Sequence, residues 1–303
     1  PSGQKFLGTE PSNGFANVIS DKVWPASATL VRDFTVNGGS TTRLGVNHQV
    51  NRALYLTAGT LDLTTGPRTL TMVDNSTVYR TNGGAVNAAL IYGLNMTVVY
   101  YANGAMTIGP ELPATVSNLT FTRSNDVGNA VTRVTRAVTV TALLTIQNDV
   151  SDNFYWGASA VPVTSLIAAG NVVIGIDAGV NPVNPEVDVD LRMGGTGNQT
   201  FTVPTVGAAV EGLFMAQTGT GSTVTIAGGS LTVETTLSFN NGILVSGTFP
   251  IILGGTVDRT GVTTGLSHIY GTVRRDFGAL GRYEYPVGSM TKYRPMSITF
   301  LAN

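Results

Sequence analysis

Three carboxylates in this chain are spaced for metal chemistry. Glu186, Asp188 and Asp190 alternate with Val187 and Val189. On an extended strand all three would project from one face. Carboxylates at i, i+2 and i+4 offer hard oxygen ligands to a cation such as calcium, and Asp177 lies close before them. The stretch lacks the glycine and twelfth-position Glu of an EF-hand loop. It also lacks the Gly-Gly-x-Gly-x-Asp nonapeptide of calcium-binding β-rolls. The competing reading is a solvated outer strand face.

Other reactive residues are few. His48 and His268 are the only histidines; they lie far apart, with neither metal-motif spacing nor a G-x-S-x-G elbow, so both are expected to be structural. There is no cysteine, which excludes disulfides, thiolate catalysis and cysteine-based zinc sites. The densest polar and aromatic patch is Arg274, Arg275, Asp276 and Arg282 beside Tyr283, Glu284 and Tyr285. It can be read as a sugar-stacking surface, or as arginine–carboxylate pairs that lock the end of the fold; the second is preferred. Asn75, Asn95, Asn118 and Asn198 each begin an N-x-[ST] acceptor pattern, which a Thr- and Asn-rich chain produces by chance. No catalytic constellation emerges, and no enzyme is expected.

The elements that would carry these residues are strands. Residues 224–253 (VTIAGGSLTVETTLSFNNGILVSGTFPIIL) repeat one phrase: a short strand, a turn, another short strand. Leu231-Thr232-Val233 and Leu237-Ser238-Phe239 alternate apolar, polar, apolar, as a strand with one buried face does. Gly228-Gly229 and Asn240-Asn241-Gly242 supply residues that tolerate positive φ. The same phrase occurs earlier at residues 54–63 (LYLTAGTLDL). No window reads as an amphipathic helix, because Thr and Val lose χ1 freedom there and Gly loses backbone entropy.

Composition agrees. Charged residues make up 12% of the 303, Gly numbers 37, and 42% of the chain is apolar. This suits strands and tight turns and excludes a disordered chain. A net charge of −1 gives no attraction to nucleic acid or acidic membranes and little repulsion between copies. No apolar run reaches the length of a membrane span. The opening Pro-Ser-Gly, with neither Met nor a signal peptide, reads as a processed or excised product.

The expected fold is therefore all-β: a parallel β-helix or β-solenoid with a β-sandwich-like C-terminal end, the alternative being β-sandwich domains throughout. Residues 1–20 are expected to form an extended arm or lead-in, 21–256 the strand-repeat region, and 257–303 a C-terminal β module.

That last module is the most distinctive part. Ser267-His-Ile-Tyr-Gly-Thr-Val-Arg-Arg275 is followed by Tyr283-Glu-Tyr-Pro-Val-Gly288 and Tyr293-Arg-Pro-Met-Ser-Ile-Thr-Phe300. This order resembles the close of β-strand-repeat modules in large surface and secreted proteins of Bacteroidetes-type bacteria. Ser117-Asn-Leu-Thr-Phe121 and Val138-Thr-Val-Thr-Ala-Leu-Leu-Thr-Ile146 are similar to the repeat phrase of the same modules. The resemblance covers about residues 115–300. It implies an extracellular or cell-surface β-rich stalk in adhesins, sheaths or filaments, and no catalytic residues. Such proteins usually continue into a C-terminal sorting domain, whereas this sequence stops at Asn303.

The expected function is a structural subunit that polymerises with itself, with surface glycans as a further partner. The alternatives are a carbohydrate-binding or carbohydrate-active β-helix and an adhesin stalk. Assembly is expected through β-pairing at the ends, with Phe6, Leu7 and Phe15 anchoring the N-terminal arm and Ile298 and Phe300 lying in the C-terminal strand. No cofactor is expected beyond calcium at the carboxylate trio.

Overall fold

The computed structural model describes residues 15–18, 23–24, 30–66, 68–102, 106–123, 132–133, 136–148, 166–176, 186–262, 265–275, 277 and 279–301. All regular structure among them is β. The chain divides into two compact units, Pro1–Val134 and Thr135–Asn303. Each is a solenoid of parallel strands, as the alternating phrase predicted.

In the first unit the long strands Leu30–Leu44 and His48–Asp62 each run along more than one face of a coil. Thr77–Val86, Thr97–Ala102 and Thr115–Arg123 stack on them in parallel. Stacking sets apolar residues over apolar residues: Leu54, Val78, Val98 and Leu119 form one inward ladder, all with no exposed surface. Coil length varies. Asp33 pairs with Ala53 and Ala53 with Thr77, so the second of these steps along the chain is the longer. The step from Thr97 to Asn118 is intermediate.

Corners need special backbone. Asn75 and Asn95 adopt φ of 63° and 55°, a region that Asn tolerates better than most residues. They sit on successive coils, and Asn95 Nδ2 donates to Asn75 Oδ1 at 3.3 Å. The first lead-in strand, Phe15–Val18, pairs parallel with Leu30–Leu44 of the same chain. This part of the expected arm thus belongs to the first described coil; Phe6 and Leu7 lie outside the described residues.

The second unit repeats the plan with longer and less regular coils. Leu143 pairs with Asn171, whereas Thr223 pairs with Ile243, a much shorter step along the chain. Its core ladders include Leu191, Leu213 and Leu237, and Met193, Met215 and Phe239. Gly228 and Gly242, nominated as turn residues, take φ of 94° and 108°. Parallel pairing continues past residue 256 through His268–Tyr270 and Val273–Arg275.

Pairing then changes sense. Gly281–Tyr285 and Met296–Phe300 form an antiparallel ribbon, and Gly288–Ser289 with Lys292–Tyr293 form a small hairpin. The distinct C-terminal end expected from the sequence takes the form of these two-stranded sheets.

Candidate functional site

The end of the second unit gathers the motifs that stood out in the sequence. A solenoid ends with a row of backbone groups that the next coil would have paired. Here the Tyr285-Pro286-Val287-Gly288 segment covers part of that row. Ile269 donates its N–H to the Pro286 carbonyl at 2.7 Å, and Ile269 and Val287 form a parallel bridge. The segment acts as a final partial rung. Arg294 ties the hairpin down by donating its N–H to the Val287 carbonyl at 2.8 Å. The Pro-Val-Gly and Tyr-Arg-Pro motifs are thus two parts of one cap.

Side chains fix the cap in place. The guanidinium of Arg259 lies 3.6 Å from the ring centroid of Tyr293, a cation–π contact. The Tyr293 hydroxyl donates to Glu284 Oε1 at 2.8 Å. Burial, and then the Glu284 carboxylate, push the Tyr293 hydroxyl up to about 12. Arg275 donates from Nη1 to the Glu284 carbonyl at 3.1 Å and from Nη2 to the Gly255 carbonyl at 2.5 Å. It therefore joins the cap to the preceding coil, as a lock should. It does so through backbone carbonyls, not through the carboxylate pairing expected. Asp276, nominated with it, lies outside the described residues.

His268 is fully buried beneath the hairpin. Its Nε2 lies 2.7 Å from the Ser289 carbonyl. A carbonyl only accepts, so Nε2 carries a hydrogen and donates it. Nδ1 meets no partner among the described residues. Burial lowers the His268 pKa, the Ser289 carbonyl opposes this, and Arg259 lowers it further.

The sign of the pH effect follows. Above about pH 6.5, the ordinary histidine value, His268 is neutral in folded and unfolded chains alike. As pH falls below that, the unfolded chain takes up a proton that the folded site resists, so stability drops until the lower folded pKa is passed. His268→Gln, whose amide can still donate to Ser289, is expected to flatten the fall in urea midpoint between about pH 7.5 and about pH 5.5. Equal pH slopes in the two proteins would refute a role for His268.

Beyond the cap is the antiparallel ribbon. Tyr285 is buried at its base, and Phe277, Tyr283 and Phe300 pack in edge-on and tilted contacts with centroids 4.4–6.0 Å apart. The ribbon carries exposed apolar side chains at both ends: Met296, opposite Tyr285, is 49% exposed, and at the other end Leu280 is 63%, Phe300 37% and Leu301 78% exposed. Of the nominated assembly residues, Ile298 and Phe300 lie in this ribbon. Phe15 has its backbone in the other unit.

The carboxylate trio lies on the strand Glu186–Met193. Its backbone register shifts between Val187 and Asp190, where the strand turns from pairing with one stretch of Ala208–Ala216 to the next. The backbone pairing is thus irregular within the trio. The side chains of Glu186, Asp188 and Asp190 lie outside the described residues. Among the described residues no group of three or more His, Asp and Glu is placed to hold a metal.

Two clusters were not nominated from the sequence. Tyr55 and Tyr79 stack at 4.9 Å with an interplanar angle of 6°, and Tyr79 stacks on Tyr101 at 6.2 Å. The rings use their faces against one another, which makes the ladder a joint between coils. The second cluster is interior. Arg80 occupies an inward ladder position between Leu56 and Tyr100, and its Nη1 donates to Glu111 Oε1. Tyr100 and the Gly109 N–H donate to the same oxygen at 3.2 and 2.9 Å. Arg80 Nε donates to the Gly84 carbonyl at 2.7 Å. Burial, and then the Glu111 charge, raise the Tyr100 pKa well above that of a free tyrosine. A signal for Arg80 was present: it lies two residues after Val78, in phase with the buried face.

No protein-family model matches the chain, and searches of curated proteins and of solved structures find no match. No helix among the described residues is long and apolar enough to cross a membrane, which does not bear on β-barrels.

Proposed function

We propose that this chain is a structural, extracellular subunit that assembles with copies of itself into a surface filament, sheath or layer. The observation that supports this most is the C-terminal ribbon. It follows a cap that partly closes the coil end, and it presents an exposed apolar strand to solvent. Exposed apolar edges of this kind are ordinarily blunted in monomers, because they recruit other strands. The near-zero net charge and the resemblance of the Pro-Val-Gly and Tyr-Arg-Pro motifs to bacterial surface-protein repeats point the same way. In such an assembly the ribbon is the joint.

A glycan-binding module and an adhesin stalk are the competing functions. Sedimentation velocity and negative-stain electron microscopy of the purified chain separate them. Self-assembly gives concentration-dependent growth and ordered particles. Monomers at every concentration would overturn the proposal, and retention of such monomers on a polysaccharide panel would favour glycan binding.

A further inference from the structure

The ribbon has one edge that a second copy of itself fits. This inference rests on the reading of the chain as a self-assembling subunit and names the joint. Met296–Phe300 pairs along one edge with Gly281–Tyr285, and no further strand joins it among the described residues. A two-stranded ribbon is marginal alone, so a further strand adds both hydrogen bonds and packing.

The two strands of the ribbon differ in how their edges are protected. Gly281–Tyr285 carries Arg282 and Glu284. Charges on an edge strand discourage pairing with another chain. Met296–Phe300 reads Met-Ser-Ile-Thr-Phe and carries no charge, no proline and no glycine.

The faces are also sorted. Tyr283 lies opposite Ile298, and Tyr285 opposite Met296. Met296, Ile298 and Phe300 therefore share one face with the two tyrosines, and Ser297 and Thr299 share the other with Arg282 and Glu284. Phe277 packs against this first face, 4.4 Å from Phe300.

The strand is complementary to itself. Laid antiparallel about Ile298, Met296 of one copy faces Phe300 of the other, Ser297 faces Thr299, and Ile298 faces Ile298. Sulfur–aromatic and Ser–Thr cross-strand pairs are both favourable. No charge of the strand meets a like charge, and all the apolar residues fall on one face of the joined sheet. A two-fold axis through Ile298 closes the contact.

We infer that two copies join by antiparallel pairing of Met296–Phe300 with the same strand of a second copy, making a four-stranded sheet across a two-fold axis.

The absence of cysteine makes the test direct. Met296→Cys and Phe300→Cys each place one thiol at an exposed ribbon position. Mixed and mildly oxidised, the two variants are expected to form a heterodimeric disulfide about tenfold or more faster than either does with Leu94→Cys, an exposed control, because docking raises the effective thiol concentration. Ile298→Cys alone is expected to link to itself. Ile298→Lys sets two charges against each other on the axis and is expected to abolish the dimer in sedimentation velocity while leaving the circular dichroism unchanged. If Ile298→Lys fails to fold, the Met296→Cys and Phe300→Cys mixture still decides. Linking no faster than the control overturns the edge pairing. Should wild-type chains still assemble in that case, the structural reading stands and only the joint is wrong; wild-type chains that stay monomeric overturn both.

Discussion

Glu111→Gln lowers the stability of the first unit by about 3–5 kcal/mol, the usual cost of removing one partner from a buried ion pair. Glu111 has no exposed surface, and the Arg80 side chain is 8% exposed. The glutamine keeps an acceptor for Tyr100 and Gly109 but removes the charge that offsets the guanidinium. Arg80 is then left charged in an apolar ladder between Leu56 and Tyr100. Urea unfolding of the full chain, followed by tyrosine fluorescence, measures the loss as a lower midpoint. The decisive result is a double variant. Arg80→Met added to Glu111→Gln removes the stranded charge and is expected to raise the midpoint relative to Glu111→Gln alone, although Arg80→Met by itself lowers it. Simple addition of the two losses would mean that the pair is not coupled.

Phe239→Ala is expected to cost the second unit about 3–5 kcal/mol, through lost burial and the cavity left behind. Phe239 has no exposed surface and follows Val140, Ala168, Met193 and Met215 in one buried ladder. The Arg259 guanidinium lies 5.9 Å from its ring centroid, so the cavity opens beneath the residue that holds Tyr293 and the cap. Met215 is flexible enough to fill part of the space, which sets the expectation toward the lower end. Phe239→Leu, nearer in volume, is expected to lose under about 1.5 kcal/mol. The comparison is Leu94→Ala at a 71% exposed position. Equal midpoints for Phe239→Ala and Leu94→Ala would show that the ladder is not the core.

The ladders of the second unit explain why the fold could be read from the chain. Period-2 alternation is a local property: Leu231, Val233, Leu237 and Phe239 alternate in the sequence and all are buried. Glycine and asparagine at corners are equally local, because positive φ is a cost of one residue. Gly228 and Gly242 therefore announced turns wherever the coils fall. Class of structure and strand content followed from such signals.

What the sequence could not set was register. Coils of unequal length, such as those from Val172 to Phe201 and from Thr223 to Ile243, offer no fixed period from which to align one coil with the next. The meeting of Arg80 with the distant Glu111 depends on that alignment and on the Gly109-Pro110-Glu111 turn entering the interior. The same holds for the cap. Pro286-Val287 lies against Ile269 only after the chain reverses into the ribbon, and Arg259 meets Tyr293 only then. The carboxylate trio shows the limit most plainly. Alternation reads Glu186, Asp188 and Asp190 as one run, and it cannot announce that the pairing register with the next coil shifts between Val187 and Asp190. Local pattern determined which residues face inward along each strand; only the stacking of coils decided which of them meet, because that is a contact between segments whose separation in sequence is not constant.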